Sequence, residues 1–470
     1  MKNASTRNDG NPLLEGPIGR TLVRMALPMV FGMAAVILFN VVDTLYVGRL
    51  GANDLAAMSF TFPVVYMLMH VAVGLGVGLT SVISRVIGAG DHERVRRLTS
   101  DGLILANTVV VVLAFAGFVT IGPLFRALGA GDDMLPLIES YMKWLYFGVG
   151  FLVIPIVGNS AIRATGDTKT PAIIMAVAGL VNIVLDPLLI FGLGPFPRLE
   201  LEGAAIATVI SWAITFVAAF WILGRRLNMI EFRIPRPGEM WRSWRAILYV
   251  GVPASATQVL VPVAAGIVTR IVSAFGPAAV AAFGVGTRVE ALAMIGVFSL
   301  GAALAPFIGQ NYGARNCDRL RRAIRFCGLA VVALGALSFV ILALLARPIA
   351  MAFSDQEEVI AVIVRYLRIM PVAYAFHGFA LLVISAFNAL NRPITSAMIN
   401  FFRLFLLGVP LAWVGARFAG IDGVFSGLVI ANILTAVIAY GAIKKFLAVV
   451  DEETRSVPAT PAPDPRPASH

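Results

Sequence analysis

Shifted against itself by 225 residues, the chain matches from Pro28–Arg97 to Pro253–Arg322 without a gap. Pro28 falls on Pro253, Gly51 on Gly276, Gly76 on Gly301, and Gly88-Ala89 on Gly313-Ala314; the basic cluster Arg94, Arg96, Arg97 falls on Arg319, Arg321, Arg322. The later segments correspond with small changes of register, Pro187 with Pro410 and Leu201-Glu202-Gly203 with Ile421-Asp422-Gly423. The repeated unit is apolar almost throughout. With 59% hydrophobic and 13% charged residues and a mean hydropathy of +0.87, a soluble fold is excluded.

At about 20 apolar residues per crossing, the pattern predicts helices near 22–48, 55–86, 102–125, 135–162, 170–192, 202–223, 246–274, 279–310, 319–346, 359–387, 393–415 and 422–446. The fold class is therefore all-α: a polytopic membrane protein of twelve transmembrane helices in two parallel six-helix repeats. An even number of crossings per repeat returns the chain to its starting side, which makes the repeats parallel. The expected organisation is a polar segment 1–21, a first lobe 22–223, a linker 224–245, a second lobe 246–446 and a Pro-rich, disordered tail 447–470. Two halves that move against each other about a central cavity are the design of a transporter.

The net charge of +11 would suggest nucleic acid in a soluble protein. Here the bases collect in alternate connections, at Arg94–Arg97, Arg163 and Lys169, Arg225–Arg245, Arg315–Arg325, and Lys444-Lys445. That positive-inside pattern places both termini and the linker in the cytoplasm of a plasma-membrane protein, and no nucleic acid is expected. The intervening connections carry Asp132, Asp133, Asp355, Glu357 and Glu358 and should face outward. The first twenty residues lack the apolar core of a cleavable signal. Cys317 and Cys327 suit neither a metal site nor a disulfide.

A carboxylate at the centre of a bilayer costs about 2.5–3.5 kcal/mol on insertion scales, so each one present calls for a reason. Asp43, Asp186 and Glu290 are the clear cases. Asp43 follows Asn40 by three positions and Asp186 follows Asn182 by four, so each aspartate shares a helix face with a carboxamide. Both aspartates sit five or six residues below the outer ends of their expected helices, roughly 8–10 Å at 1.5 Å per residue. Tyr141 and Thr208 reach the same level from helices 4 and 6. Four side chains on four helices thus converge. Their oxygens could replace water around Na⁺, the carboxylates could hold a proton, or the group could be a structural hydrogen-bonded network.

In the second half, Arg288 and Glu290 are two apart and do not face each other on one helix. Glu290 reads either as a structural ion pair with a neighbour such as Arg270 or as a charge facing a substrate. Lys143, Arg403, His70 and His377 read as packed or snorkelling side chains. Prolines inside spans, Pro28 and Pro253 among them, mark bends or hinges. Clustered histidines and HExxH are missing from the sequence, as are paired catalytic carboxylates at the cytoplasmic face, so an enzyme is not expected. No cofactor is expected beyond a coupling ion.

These residues resemble a known family. Asn40-Val-Val-Asp43-Thr-Leu-Tyr-Val-Gly followed by Leu50-Gly51 is similar to the first helix of the multidrug and toxic compound extrusion (MATE) family; Asn182-Ile-Val-Leu-Asp186-Pro187 is similar to its fifth, and Gly203-Ala-Ala-Ile-Ala-Thr208 to its sixth. Ala281 to Glu290 and Gly309-Gln-Asn-Tyr-Gly313 resemble second-half motifs. The resemblance implies an antiporter, driven by H⁺ or Na⁺, that exports small organic and often cationic compounds and works as a monomer in the bilayer. On the pattern of the branch related to the DNA-damage-inducible (DinF-like) transporters, it implies a cation site of Asp43, Asn182, Asp186 and Thr208, with Tyr141 and Asn40 beside it, and a hinge at Pro28. The other bacterial branch adds acids on helices 7 and 10. Here helix 7 offers Gln258, so the second-lobe polar residues are Gln258, Arg288 and Glu290. The alternative function is a lipid or lipid-linked sugar flippase of the same superfamily.

At the repeat offset Asp43 meets Val268, while Asp186 meets Val409 and Asn182 meets Phe405 in the shifted register. The scaffold is doubled and the aspartates are not.

Overall fold

The computed structural model describes residues 11–231, 233 and 236–456, all helices and connections with no strand among them. A single helical turn, Pro12–Glu15, precedes α1, Ile18–Gly48. The first lobe continues with α2, Ala52–Gly88; α3, His92–Val119; α4, Leu135–Ala164; α5, Lys169–Phe191; and α6, Glu200–Trp221. The second lobe begins with α7, Pro237–Ser273. Its α8 is two pieces, Pro277–Ala293 and Ile295–Gly313, bent by 46°. Next come α9, Cys317–Leu344, and α10, which runs from Glu357 to Ala389 through a 3₁₀ turn at Met370–Ala373 that holds Pro371.

The last helical stretch, Pro393–Val449, is 57 residues long. At 1.5 Å per residue that is about 85 Å against about 30 Å of hydrocarbon. Ala419 (φ −138°) and Gly420 (φ 60°, ψ −141°) break it. It is therefore two spans, α11 over 393–418 and α12 over 421–456. With α8 counted once, twelve crossings lie among the described residues. Phe31, Phe115, Phe147, Leu344 and Val437, each more than 60% exposed, belong to the lipid-facing surface.

Three expected boundaries change. α3 and α7 start before their apolar stretches, α3 because Asp91 Oδ1 accepts from the Arg94 backbone N–H at 3.0 Å, α7 because Pro237 and Glu239 suit a first helical turn. The 224–245 linker is accordingly shorter than expected. The tail expected from 447 remains helical to Ser456, since neither glycine nor proline occurs between Leu447 and Pro458. Residues 1–10 and 457–470 lie outside the described residues.

The repeat is visible in the backbone. The turn after α4 passes through left-handed Gly166 (φ 96°) and the turn after α10 through left-handed Asn391 (φ 61°), 225 residues later; both residue types tolerate that conformation. Each half builds its own hydrophobic core, one around Met58, Leu79, Ile83, Ile138 and Met142, the other around Phe307, Tyr366, Tyr374 and Phe425. Two helices trade places at their starts. Leu22 of α1, fully buried, belongs to the second core, and Ile247 of α7 belongs to the first. Gly19 lies against Phe326 of α9, and at the equivalent position Trp244 Nε1 donates to Asp101 O of α3 at 3.0 Å.

The lobes are in contact at the end that carries the arginine clusters, the basic end. There α2 and α8 cross so closely that a Cβ on Gly88 would stand 2.0 Å from Gln310 O, and one on Gly313 would stand 2.1 Å from Arg85 O. Gln310 Nε2 donates to Ala164 O at 2.7 Å and accepts at Oε1 from Asn11 Nδ2 at 2.8 Å. Arg319 holds the preceding segment through Leu13 O at 3.1 Å and Gly16 O at 2.6 Å. Toward the opposite end, Pro277–Ala293 of α8 packs chiefly on α7 and α10 of its own lobe, whereas Ile295–Gly313 packs both on α1 and α2 and on α10. The lobes are closed on each other at the basic end, and at the other end the outer piece of α8 keeps to its own lobe.

Candidate coupling site and central cavity

α1 and α5 meet along small residues: a Cβ at Gly32 would stand 3.0 Å from the Ala172 backbone, and one at Gly179 would stand 3.3 Å from Phe39 Cβ. This packing sets Asp43 of α1 beside α5. Asn182 and Asp186 are one turn apart on α5 and both fully buried. With its amide nitrogen toward the carboxylate, Asn182 donates to Asp186 Oδ2 at 2.8 Å, and its oxygen accepts from the Thr208 backbone N–H at 3.3 Å. One turn lower Ser211 Oγ donates to Ala178 O at 2.8 Å, fixing α6 against α5. Pro187, directly after Asp186, leaves the carbonyl of Ile183 without its helical donor.

Asp43 is buried, and its Oδ1 has no hydrogen-bond partner. Its charge acts on Asp186, on Tyr141 of α4 and on Tyr66 of α2. Neither aspartate has an ion-pair partner among the described residues. Five helices therefore bring together Asp43, Tyr66, Tyr141, Asn182, Asp186 and Thr208. Asn40 does not join them. It is exposed, and its Nδ2 donates to Val36 O of its own helix at 2.8 Å, because three residues on a helix turn it 60° away from Asp43 and its short amide reaches the preceding turn first.

An orphaned acceptor next to a second carboxylate, with no base to neutralise either, is chemistry that takes up a cation. Carboxylate, carboxamide and hydroxyl oxygens are hard ligands that suit a proton or an alkali ion alike. Pro28 lies inside α1, which continues through it as helix.

In the second lobe Glu290 accepts from Tyr366 Oη at 2.7 Å and lies 3.6 Å from His377 Nδ1. Arg403, forked onto Asn400 Oδ1 at 2.9 and 3.1 Å, adds a positive field. The expected pair with Arg270 is not formed. Arg270 is three residues from the far end of α7 and Glu290 thirteen from the start of α8, so their levels differ by roughly 15 Å. His377 is thus a partner of Glu290 and more than a packing group. Arg288 is exposed. Gln258 lines a cavity between the lobes, with Arg163 of α4 facing the same space.

Tyr66 and Arg163 were not singled out as site residues by sequence reasoning, nor was Tyr366. For the last a signal exists: Tyr141 and Tyr366 stand 225 apart, the repeat spacing, and each faces the acid of its lobe.

A profile of the family described as MatE matches residues 28–188 and 253–414, two segments set apart by the repeat offset. The chain belongs to the MatE family. This MatE protein is 38% identical over 432 residues to the FAD transporter of Shewanella oneidensis, covering 92% of this chain and 96% of that one. It is 27% identical over 430 residues to the probable multidrug resistance protein YoeA of Bacillus subtilis, covering 90% and 93%. Among solved structures it is similar to the Vibrio cholerae MATE transporter VcmN in its bent form, with a TM-score of 0.88, 30% identity and coverage of 93% and 98%. It is equally similar to the outward-facing conformation of a multidrug resistance MATE transporter, with a TM-score of 0.88, 27% identity and coverage of 94% and 99%. It is a membrane transporter and not an enzyme.

Proposed function

We propose that this MatE protein is a cation-coupled antiporter that exports organic compounds from the cytoplasm. The observation that carries the reading is the pair Asp43 and Asp186, buried together without a compensating base. We take the basic end as cytoplasmic on its excess of arginine, so that a form closed there is open to the outside and its aspartates are reachable from that side. A cation, H⁺ or Na⁺, enters there and neutralises the pair. Neutralisation weakens the hold on a bound substrate; its release lets the lobes rock to the inward-open form. Coupling requires that ion and substrate favour different states, because a ligand that binds both equally shifts neither.

For the substrate, the relative named a FAD transporter and those named for multidrug resistance share one chemical feature, since flavins and many drugs are planar ring systems. We extend the reading to a flavin nucleotide as one substrate. Phe62, Tyr66 and His70 recur every fourth residue on α2 and stack on one another, with centroids 5.9 and 6.3 Å apart. Such a ladder, beside Asp43, suits flat rings.

The test is uptake of ethidium and of FAD into everted vesicles under an imposed pH or Na⁺ gradient, with wild type, Asp43→Asn and Asp186→Asn. Gradient-driven uptake of either compound should vanish in both variants. Undiminished uptake in them would remove the coupling site, and the gradient that drives wild type identifies the ion.

A further inference from the structure

We propose that the floor of the central cavity is a phosphoryl-binding site built on Arg163. The proposal rests on the exporter reading and names a substrate class for it, compounds that carry a phosphate.

The space is a cavity of 290 Å³ lined from both lobes. Arg163 of α4 and Ser81 of α2 come from the first; Gln258 of α7, Ser385 and Asn388 of α10 come from the second. Neither Asp nor Glu is among the lining residues. Arg163 is one residue from the end of α4, where Thr80 Oγ1 donates to Ser160 O at 2.9 Å and holds that end against α2. Its guanidinium makes one contact with the protein, Nη2 donating to Ser160 Oγ at 2.7 Å. The other N–H groups have no protein acceptor, and no carboxylate lies within ion-pair distance among the described residues.

Opposite, Ser81 Oγ donates to Asn388 O at 2.6 Å and Ser385 Oγ to Gly301 O at 3.1 Å, so both hydroxyls are spent on backbone. Asn388 is half-buried, its Oδ1 buried without a partner. What remains available is a guanidinium and two carboxamides. The space carries one uncompensated positive charge and no carboxylate among its lining residues.

A half-buried guanidinium without a counter-ion is open to an anion, and its planar fork matches phosphate oxygens in a paired geometry that ammonium cannot reproduce. Carboxamide N–H groups from the facing lobe would complete the coordination. The floor is also assembled only in the closed form. Arg163 belongs to one lobe and Gln258 and Asn388 to the other, and they face each other because α2 and α8 cross at Gly88 and Gly313. A phosphate taken from the cytoplasm would bind the closed form better than the open one and would draw the basic end shut behind it.

The experiment uses the full-length protein in lipid nanodiscs and the intrinsic fluorescence of FMN and riboflavin, which differ by the phosphate alone. Wild type should bind FMN about tenfold more tightly than riboflavin, as expected for a charged hydrogen-bonded pair. Arg163→Gln should bring the two to equal affinity, and Arg163→Lys should fall between. Inorganic phosphate or diphosphate should compete with FMN and leave riboflavin binding unaffected. Competition by the free anions with no FMN preference would mean an inorganic-anion site only and would overturn the substrate proposal. Retention of the FMN preference in Arg163→Gln, or equal affinities in wild type, would overturn it outright. If Arg163→Gln does not fold, Gln258→Leu in the other lobe decides on the same ratio. Gradient-driven ethidium uptake by the same protein in sealed proteoliposomes separates this outcome from failure of the exporter reading, because binding of FMN in nanodiscs is measured without transport.

Discussion

Gly88 and Gly313 occupy equivalent positions in the two repeats, and each lies against a backbone carbonyl on the other's helix, Gly88 against Gln310 and Gly313 against Arg85. The contact is reciprocal because Arg85 and Gln310 are themselves equivalent. A methyl group at either glycine would overlap backbone that has no rotamer to change. Gly88→Ala or Gly313→Ala should therefore disfavour the closed basic end by about 1–3 kcal/mol, the usual cost of overpacking. Distances between spin labels on the α2 and α8 ends should lengthen, and transport should fall by about tenfold. Unaltered distances would mean that the helices slide apart without cost.

Asn182 provides the Asp186 carboxylate with its hydrogen bond and takes one from α6. Asn182→Leu should preserve the fold of α5 while weakening ion coupling, since a charged hydrogen bond is worth about 1.5–3 kcal/mol. The measurement is the ion concentration at half-maximal transport, which should shift by about tenfold or more. Asn40→Ala, on the exposed face, should leave that value within about twofold.

Sequence reading reached the twelve crossings and the pairing of the halves, because spans and repeats are set by hydrophobic length and spacing, and it named Asp43, Tyr141, Asp186 and Thr208, which the fold brings together. It misplaced Asn40, since a shared helix face does not say which way a short amide turns when a carbonyl lies one turn back. Glu290 shows the same limit. Its partners, Tyr366 and His377, are 76 and 87 residues away, and only the packing of α10 on α8 makes them neighbours. The start of α7 was hidden because charged residues can begin a helix before the membrane does.

Tyr366→Phe removes the hydroxyl that donates to Glu290 and keeps the ring against Phe283 and Phe425. It should lower stability by about 1.5–3 kcal/mol, read as a drop in melting temperature in detergent. Glu290→Gln should cost more, because Arg403 and His377 would then lose the carboxylate that neighbours both. A melting temperature unmoved in both variants would show that the cluster is solvated.

Arg319 joins the segment before α1 to α9 through two backbone carbonyls and to α8 through Asn311 Oδ1 at 3.1 Å. Arg319→Ala should release that segment. Limited proteolysis between Asn11 and Gly16 should speed up by at least about tenfold, while the melting temperature of the lobes changes little.

Because Leu22 is buried in the second core and Ile247 in the first, neither half of the chain holds all of its own core. A six-helix half alone would leave the start of its first helix without the core that buries it, and a second half supplies that core. The two lobes therefore stabilise each other through the starts of their first helices, and cutting the connection between α6 and α7 would leave them a complex held by those two exchanged ends.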